Sequence, residues 1–166
     1  MQYEEAVSEY LWVKESIKYS FPYWGDTTRT LTEKRGHCGM KAEVLVSRLR
    51  ARGIKARYVG GKVPMSKVGP FNIHFWVEAE VDGQWLTLDP TPDSSITCLL
   101  GDTEPGTHLE NLEHITRWDE IPAKYKKLYN HPPVSLLRWI FNIKLAYYRK
   151  WGNHKNSPQK LASRQG

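Results

Sequence analysis

Residues 72–89 constrain the fold more than any other stretch of this chain. From Asn72 to Val81 the side chains alternate, with Ile73, Phe75, Val77, Ala79 and Val81 on one face and Asn72, His74, Trp76, Glu78 and Glu80 on the other. That period of two belongs to a strand with one apolar face. Asp82-Gly83 is the preferred two-residue hairpin turn, and Gln84 to Asp89 reads as the returning strand. Such a turn sets Val81 opposite Gln84, so paired residue numbers sum to 165. Trp76 then faces Asp89 and His74 faces Thr91. His74 and Asp89 become diagonal neighbours on one face, with Cα atoms about 7–8 Å apart and an imidazole–carboxylate hydrogen bond within reach. One extra residue in the turn would flip this parity.

The second constraining stretch is Arg35-Gly36-His37-Cys38-Gly39 and the run to Arg52. Cys38, Ala42, Leu45, Leu49 and the stem of Arg52 recur on one helical face with Val46 beside them, and Gly53 stands where the helix should stop. Cys38 would sit in the first turn, where unpaired backbone N–H groups favour a thiolate. A cysteine so placed can have its pKa lowered from about 8.5 to roughly 3.5–7.5. Taken singly, each residue has an ordinary reading. Cys38 is a packing residue, His74 a solvent-facing strand histidine, and Asp89 a turn residue ahead of Pro90. Taken together they meet the nucleophile–base–orienter arrangement. Glu78 and Glu80 share the His74 face and are expected to be solvated charge.

Around these stretches, residues 2–19 read as a helix, with Ala6, Tyr10, Trp12, Val13 and Ile17 at helical spacing and Glu4, Glu5, Glu9 and Lys14 outward. Asp26 is a plausible N-cap for a short helix through Leu31 and Glu33. Ile54 to Val63 reads as a strand interrupted by Gly60-Gly61, and residues 64–70 as a loop between prolines. Two cysteines in 166 residues make no disulfide framework and suit a reducing compartment. Neither a signal peptide nor a spanning helix is expected, so the chain reads as cytoplasmic.

The matching pieces Gly36-His37-Cys38-Gly39, Leu49 to Arg57, His74-Phe75-Trp76-Val77-Glu78, and Gly83-Gln84-Trp85 leading to Asp89-Pro90-Thr91 resemble the transglutaminase-like branch of the papain-like thiol enzymes. The resemblance covers roughly residues 26–93. It implies an α+β fold in which the cysteine-bearing helix packs on an antiparallel sheet, with additional C-terminal helices. It also implies acyl transfer through a thioester, in which Cys38 attacks an amide carbonyl, His74 carries the proton and Asp89 orients His74. The Cys38 N–H and an upstream side chain, Trp24 or Tyr23, would hold the oxyanion. Apart from the resemblance, Trp76 and Trp85 suggest an aromatic-walled cleft. A peptide or protein amide is the implied substrate. Hydrolysis of a protease or amidase type is favoured over amine cross-linking. Relatives that remove glycans from asparagine carry paired CxxC zinc motifs, which do not occur here. No metal site and no cofactor is expected. A catalytically silent binding domain on the same fold, or an adaptor working through the C-terminal helix, stays open.

The chain is expected to divide into a transglutaminase-like catalytic core at 1–115, a C-terminal helical extension at 116–151 packed on the core or interfacial, and a disordered basic tail at 152–166. Residues 121–166 hold ten Lys/Arg and no Asp or Glu, so the net charge of +6 belongs to that end. A short helix is expected near Pro122 with Tyr125, Leu128 and Tyr129 inward, and a longer one over 134–151. The longer helix mixes Trp139, Phe141, Tyr147, Tyr148 and Trp151 with Arg138, Lys144, Arg149 and Lys150. It reads either as docked on the domain or as lying on an anionic membrane. Nucleic-acid binding is disfavoured, because no module signature is present. Cys98 reads as a buried structural cysteine.

Overall fold

A computed structural model describes residues 2–20, 25–62, 73–91, 109, 112–130 and 143. Its centre is the β-hairpin. Strand β4 (Ile73–Val81) and strand β5 (Gln84–Leu88) pair antiparallel from Val81↔Gln84 to Val77↔Leu88. Asp82 and Gly83 both take positive φ, 50° and 80°, the geometry that matches the strands' own twist. Strand β3 (Ala56–Lys62) pairs on the other side of β4, from Ala56↔Ala79 to Lys62↔Ile73. Strand β6 (Glu113–Trp118) closes the sheet beyond β3, giving the order β5-β4-β3-β6. This last strand is absent from the sequence reading, and it runs across position 115.

Gly60 and Gly61 lie inside β3 and do not interrupt it. Their bare Cα atoms admit large neighbours. A Cβ on Gly60 would come within 2.7 Å of the Trp118 ring, and one on Gly61 within 3.1 Å of Trp76. Trp118 accordingly packs with Phe75 and Tyr125 at ring separations of 6.0 and 5.7 Å, and those two rings lie 5.4 Å from each other. Tyr125 comes from the last described helix, α4 (Ala123–Asn130).

One face of the sheet (Ala56, Tyr58, Phe75, Val77, Ala79, Val81, Leu88) shares a buried cluster with Ala42, Leu45, Val46 and Leu49 of helix α3 (Cys38–Ala51). Full burial of a Leu or Val contributes about 1.5–3 kcal/mol, so this seam holds the cysteine helix on the sheet. Gly53, at φ 73°, ends it. Helix α1 (Gln2–Ser16) buries Ala6 and Val13, followed by Ile17. Its Glu9 was expected outward; it is buried instead, paired with Arg48 of α3 and with Arg52 at that helix's C-cap. Burial there follows from the two guanidiniums, which satisfy the carboxylate.

A short parallel ribbon of β1 (Lys18–Tyr19) and β2 (Arg35–Gly36) fixes the chain just before the cysteine. Helix α2 (Thr27–Glu33) lies between them in sequence and is N-capped by Asp26, whose carboxylate accepts from the Arg29 N–H. Buried Lys41, one turn into α3, donates to the Ile17 carbonyl at 2.6 Å and to that of Lys14 at 3.3 Å. A cation on the carbonyl end of α1 ties the first turn of α3 in place. Among the described residues no helix is long and apolar enough to cross a membrane. Trp24, Tyr23, Cys98, the 64–70 loop, the expected 134–151 helix except for position 143, and the 152–166 tail lie outside the described residues.

Candidate active site

The hairpin register decides which side chains meet. Because β4 and β5 pair with numbers summing to 165, His74 and Asp89 project from the same face. His74 Nε2 donates to Asp89 Oδ2 at 2.5 Å. The second carboxylate oxygen accepts from the Thr91 backbone N–H at 2.8 Å. That turn-like clamp beyond the strand end holds the carboxylate from behind. Both side chains are buried, at 7% and 5% exposure, so the pair is shielded from competing water. With Nε2 committed to Asp89, Nδ1 is the ring nitrogen available to a nucleophile.

Cys38 opens α3 and is buried. Burial alone would push its thiol up. Hydrogen bonds from His37 and His74, with their electrostatic attraction, override that and bring it down to about 6. For His74, burial works against the charged ring, but the Asp89 carboxylate and then the Cys38 sulfur outweigh it and raise the imidazolium pKa to about 10. Between those values the stable form is a thiolate beside an imidazolium, since each charge supports the other. The arrangement can deliver a sulfur nucleophile and a proton donor at neutral pH.

The remaining candidates fall differently. Trp76 is buried and stacks on the His74 ring at 5.9 Å and 20°. It serves the imidazole as a platform. Trp85 stands four residues before Asp89 along β5, about 13 Å away at 3.4 Å per residue. There the Arg57 guanidinium covers its ring at 3.7 Å and Lys55 approaches at 5.3 Å. Glu78, expected to be solvated, is buried and held by Arg57 at 2.7 Å and by Arg117 at 2.9 Å. These guanidiniums hold its carboxyl below the ordinary range although burial pushes the other way. The correction has a clear cause: β6, absent from the sequence reading, supplies Arg117. Among the described residues no group of His, Cys, Asp and Glu is arranged to hold a metal ion.

Sequence reasoning gave His37 no role, yet it is buried against the cysteine it precedes. It occupies the N-cap of α3 without making a side-chain cap, where Ser, Thr, Asp or Asn would add about 1 kcal/mol. An aromatic base at a position that favours short oxygen side chains was the legible signal.

A family model described as the transglutaminase-like superfamily matches residues 1–90. Among solved structures, a candidate cysteine protease from Cytophaga hutchinsonii aligns with a TM-score of 0.54 and 24% identity, over 71% of this chain and 37% of its own. A structure described as a TGase aligns at a TM-score of 0.41 and 14% identity, over 54% of this chain and 30% of its own. This chain therefore spans little more than a third of the first structure's length, and that likeness is one of fold. No curated protein matches.

Proposed function

The chain belongs to the transglutaminase-like superfamily, and from that premise we propose that it is a cysteine enzyme hydrolysing a peptide or protein amide through a thioester on Cys38. The observation that carries this reading is the buried His74–Asp89 pair, bonded at 2.5 Å, beside a thiol drawn down to about 6 at a helix start. In the first half-reaction the Cys38 thiolate adds to the amide carbonyl. The carbonyl oxygen takes the negative charge and the Cys38 backbone N–H donates to it. The C–N bond breaks as His74 gives its proton to the leaving amine. In the second half-reaction a water passes a proton to His74 and adds to the thioester carbon, and the C–S bond breaks to return the thiolate. Asp89 stays charged throughout and keeps the ring turned toward the sulfur. An amine in place of water would make the product a new amide.

Mass spectrometry of intact protein, quenched after mixing with candidate peptides with and without added amine, tests this. A thioester on Cys38 and release of free acid are expected. An amide product would reassign the acceptor, and failure to form any adduct across a broad peptide set would refute amide chemistry. The burial of all three side chains supports a second reading, a binding domain whose site is closed. An electrophilic thiol probe that labels Cys38 in the folded protein argues against that reading.

A further inference from the structure

We propose that the cleft beside the β1–β2 ribbon is an anion subsite that receives the carboxylates of an acidic stretch in the peptide substrate. It rests on the amide-hydrolysis reading for its catalytic meaning, while anion binding at the cleft stands apart from that reading. The cleft encloses about 450 Å³ and is lined by Lys18, Lys34 and Arg35, the hydroxyl-bearing Ser16 and Ser20, and Glu33. That is the size of a small-ligand site.

Two short segments build it. β1 and β2 run parallel, and Lys18 stands directly across from Arg35. Like charges set opposite each other in a ribbon repel, so this register is kept against a local cost that a bound anion would relieve. Arg35 Nη2 donates to the Ser20 hydroxyl oxygen at 3.4 Å. Lys34 ends α2 in the left-handed conformation, at φ 53°, and its ammonium lies 4.7 Å from the centre of the Trp12 ring. Contacts thus hold Lys34 and Arg35 before a ligand arrives, which lowers the ordering cost of binding.

The negative groups around the cleft are already engaged. Glu33 is bonded to Arg29 at 2.6 Å. The carbonyl end of α1, which borders the cleft at Ser16, receives the Lys41 ammonium at the Ile17 and Lys14 oxygens. Among the described residues neither Lys18 nor Lys34 is paired with a carboxylate. Residues 121–166 hold ten Lys/Arg and no Asp or Glu, so that end offers no acidic side chain to fill the cleft. Converging cations and hydroxyls suit several carboxylates presented together, as an acidic peptide presents them. Arg35 stands three residues before Cys38, no more than about 11 Å along the chain. An extended peptide with its amide at the sulfur can therefore set a side chain about two to four residues away into this cleft.

The test uses the full chain carrying Cys38→Ser, so that nothing turns over, and follows backbone amide NMR signals during titration with hexaglutamate or hexaglutamine. Hexaglutamate should shift the signals of residues 18–20 and 34–36, and hexaglutamine should not. Equal shifts from both peptides, or shifts confined to residues 121–166, would overturn the proposal. Inorganic phosphate that moves the same signals as far at equal concentration would also overturn it, because the cleft would then take a lone anion. Lys18→Gln combined with Lys34→Gln should weaken hexaglutamate binding about fivefold. Removing as many charges by Lys55→Gln and Lys124→Gln, just ahead of β3 and on α4, should leave it unchanged. Equal losses in the two double variants would overturn the proposal. In the unsubstituted enzyme, acidic residues beside the reacting amide should lower KM and leave kcat alone, and Lys18→Gln with Lys34→Gln should erase that preference. A Cys38 thioester formed with no preference for acidic peptides would overturn the subsite, whereas hexaglutamate bound in the cleft with no thioester from any peptide would refute amide hydrolysis and leave the anion site standing.

Discussion

Replacing Asp89 with Asn keeps the side-chain shape and removes the charge on which the His74–Cys38 pair depends. His74 is raised from an ordinary 6.5 to about 10, with Asp89 the largest cause acting in that direction. That rise is what remains after burial has pushed the other way, so the carboxylate and the sulfur together outweigh the whole cost of burying the charged ring. In Asp89→Asn burial acts on the ring with no carboxylate to oppose it, so the imidazole is neutral at pH 7. The thiol then loses one of the two partners that bring it to about 6. Its midpoint should climb by at least one unit, toward the ordinary value of about 8.5. The assay is the pH dependence of iodoacetamide alkylation, followed at Cys38 by peptide mass spectrometry. The midpoint, rather than the rate at one pH, is the proper readout, because a more basic thiolate is intrinsically more reactive and masks part of the loss. A midpoint that stays near 6 in Asp89→Asn would refute the claim that this carboxylate sustains the ion pair.

Three further outcomes follow from the same geometry. Turnover plotted as kcat/KM should be bell-shaped, rising through about 6 as Cys38 ionises and falling through about 10 as His74 loses its proton; a profile centred on 4 or flat to 11 would contradict it. Glu78→Gln leaves Arg57 and Arg117 without their shared carboxylate and should lower stability by roughly 1–3 kcal/mol in urea at pH 7. Because the folded pKa of Glu78 is depressed, its contribution is present above the ordinary carboxylate pKa and fades as pH falls through the lower folded value, so the gap between variant and parent should narrow in acid. Gly60→Ala forces a methyl to within 2.7 Å of Trp118 and should lose about 1–3 kcal/mol with a change in near-UV circular dichroism from the Phe75–Trp118–Tyr125 cluster.

The hairpin was legible because a strict alternation and an Asp-Gly turn leave one register open, and that register alone sets His74 diagonal to Asp89. The cysteine helix was legible for a similar reason: Ala42, Leu45, Val46 and Leu49 repeat at helical spacing and Gly53 stops them. Strand β6 was not. Its residues Glu113 to Trp118 are mostly exposed and show no clean alternation. A bulge against β3 between Gly60 and Lys62 and a positive φ at His114 disturb its period as well. An edge strand takes its structure from the neighbour it bonds to, and that neighbour is more than fifty residues away in the chain.

Glu9 and Glu78 illustrate why local sequence misplaces buried charge. Each reads as outward because charged side chains are almost never buried unless paired, and their partners are non-local: Arg48 on another helix and Arg52 at its end for Glu9, Arg57 and Arg117 on two other strands for Glu78. His37 differs from both: it is buried beside the cysteine it precedes, at a helix start that takes no cap from its side chain, and it is among the groups that bring the Cys38 thiol down. A serine there would be expected to raise the melting temperature and raise the thiol pKa together, whereas a merely structural histidine would change the first without the second.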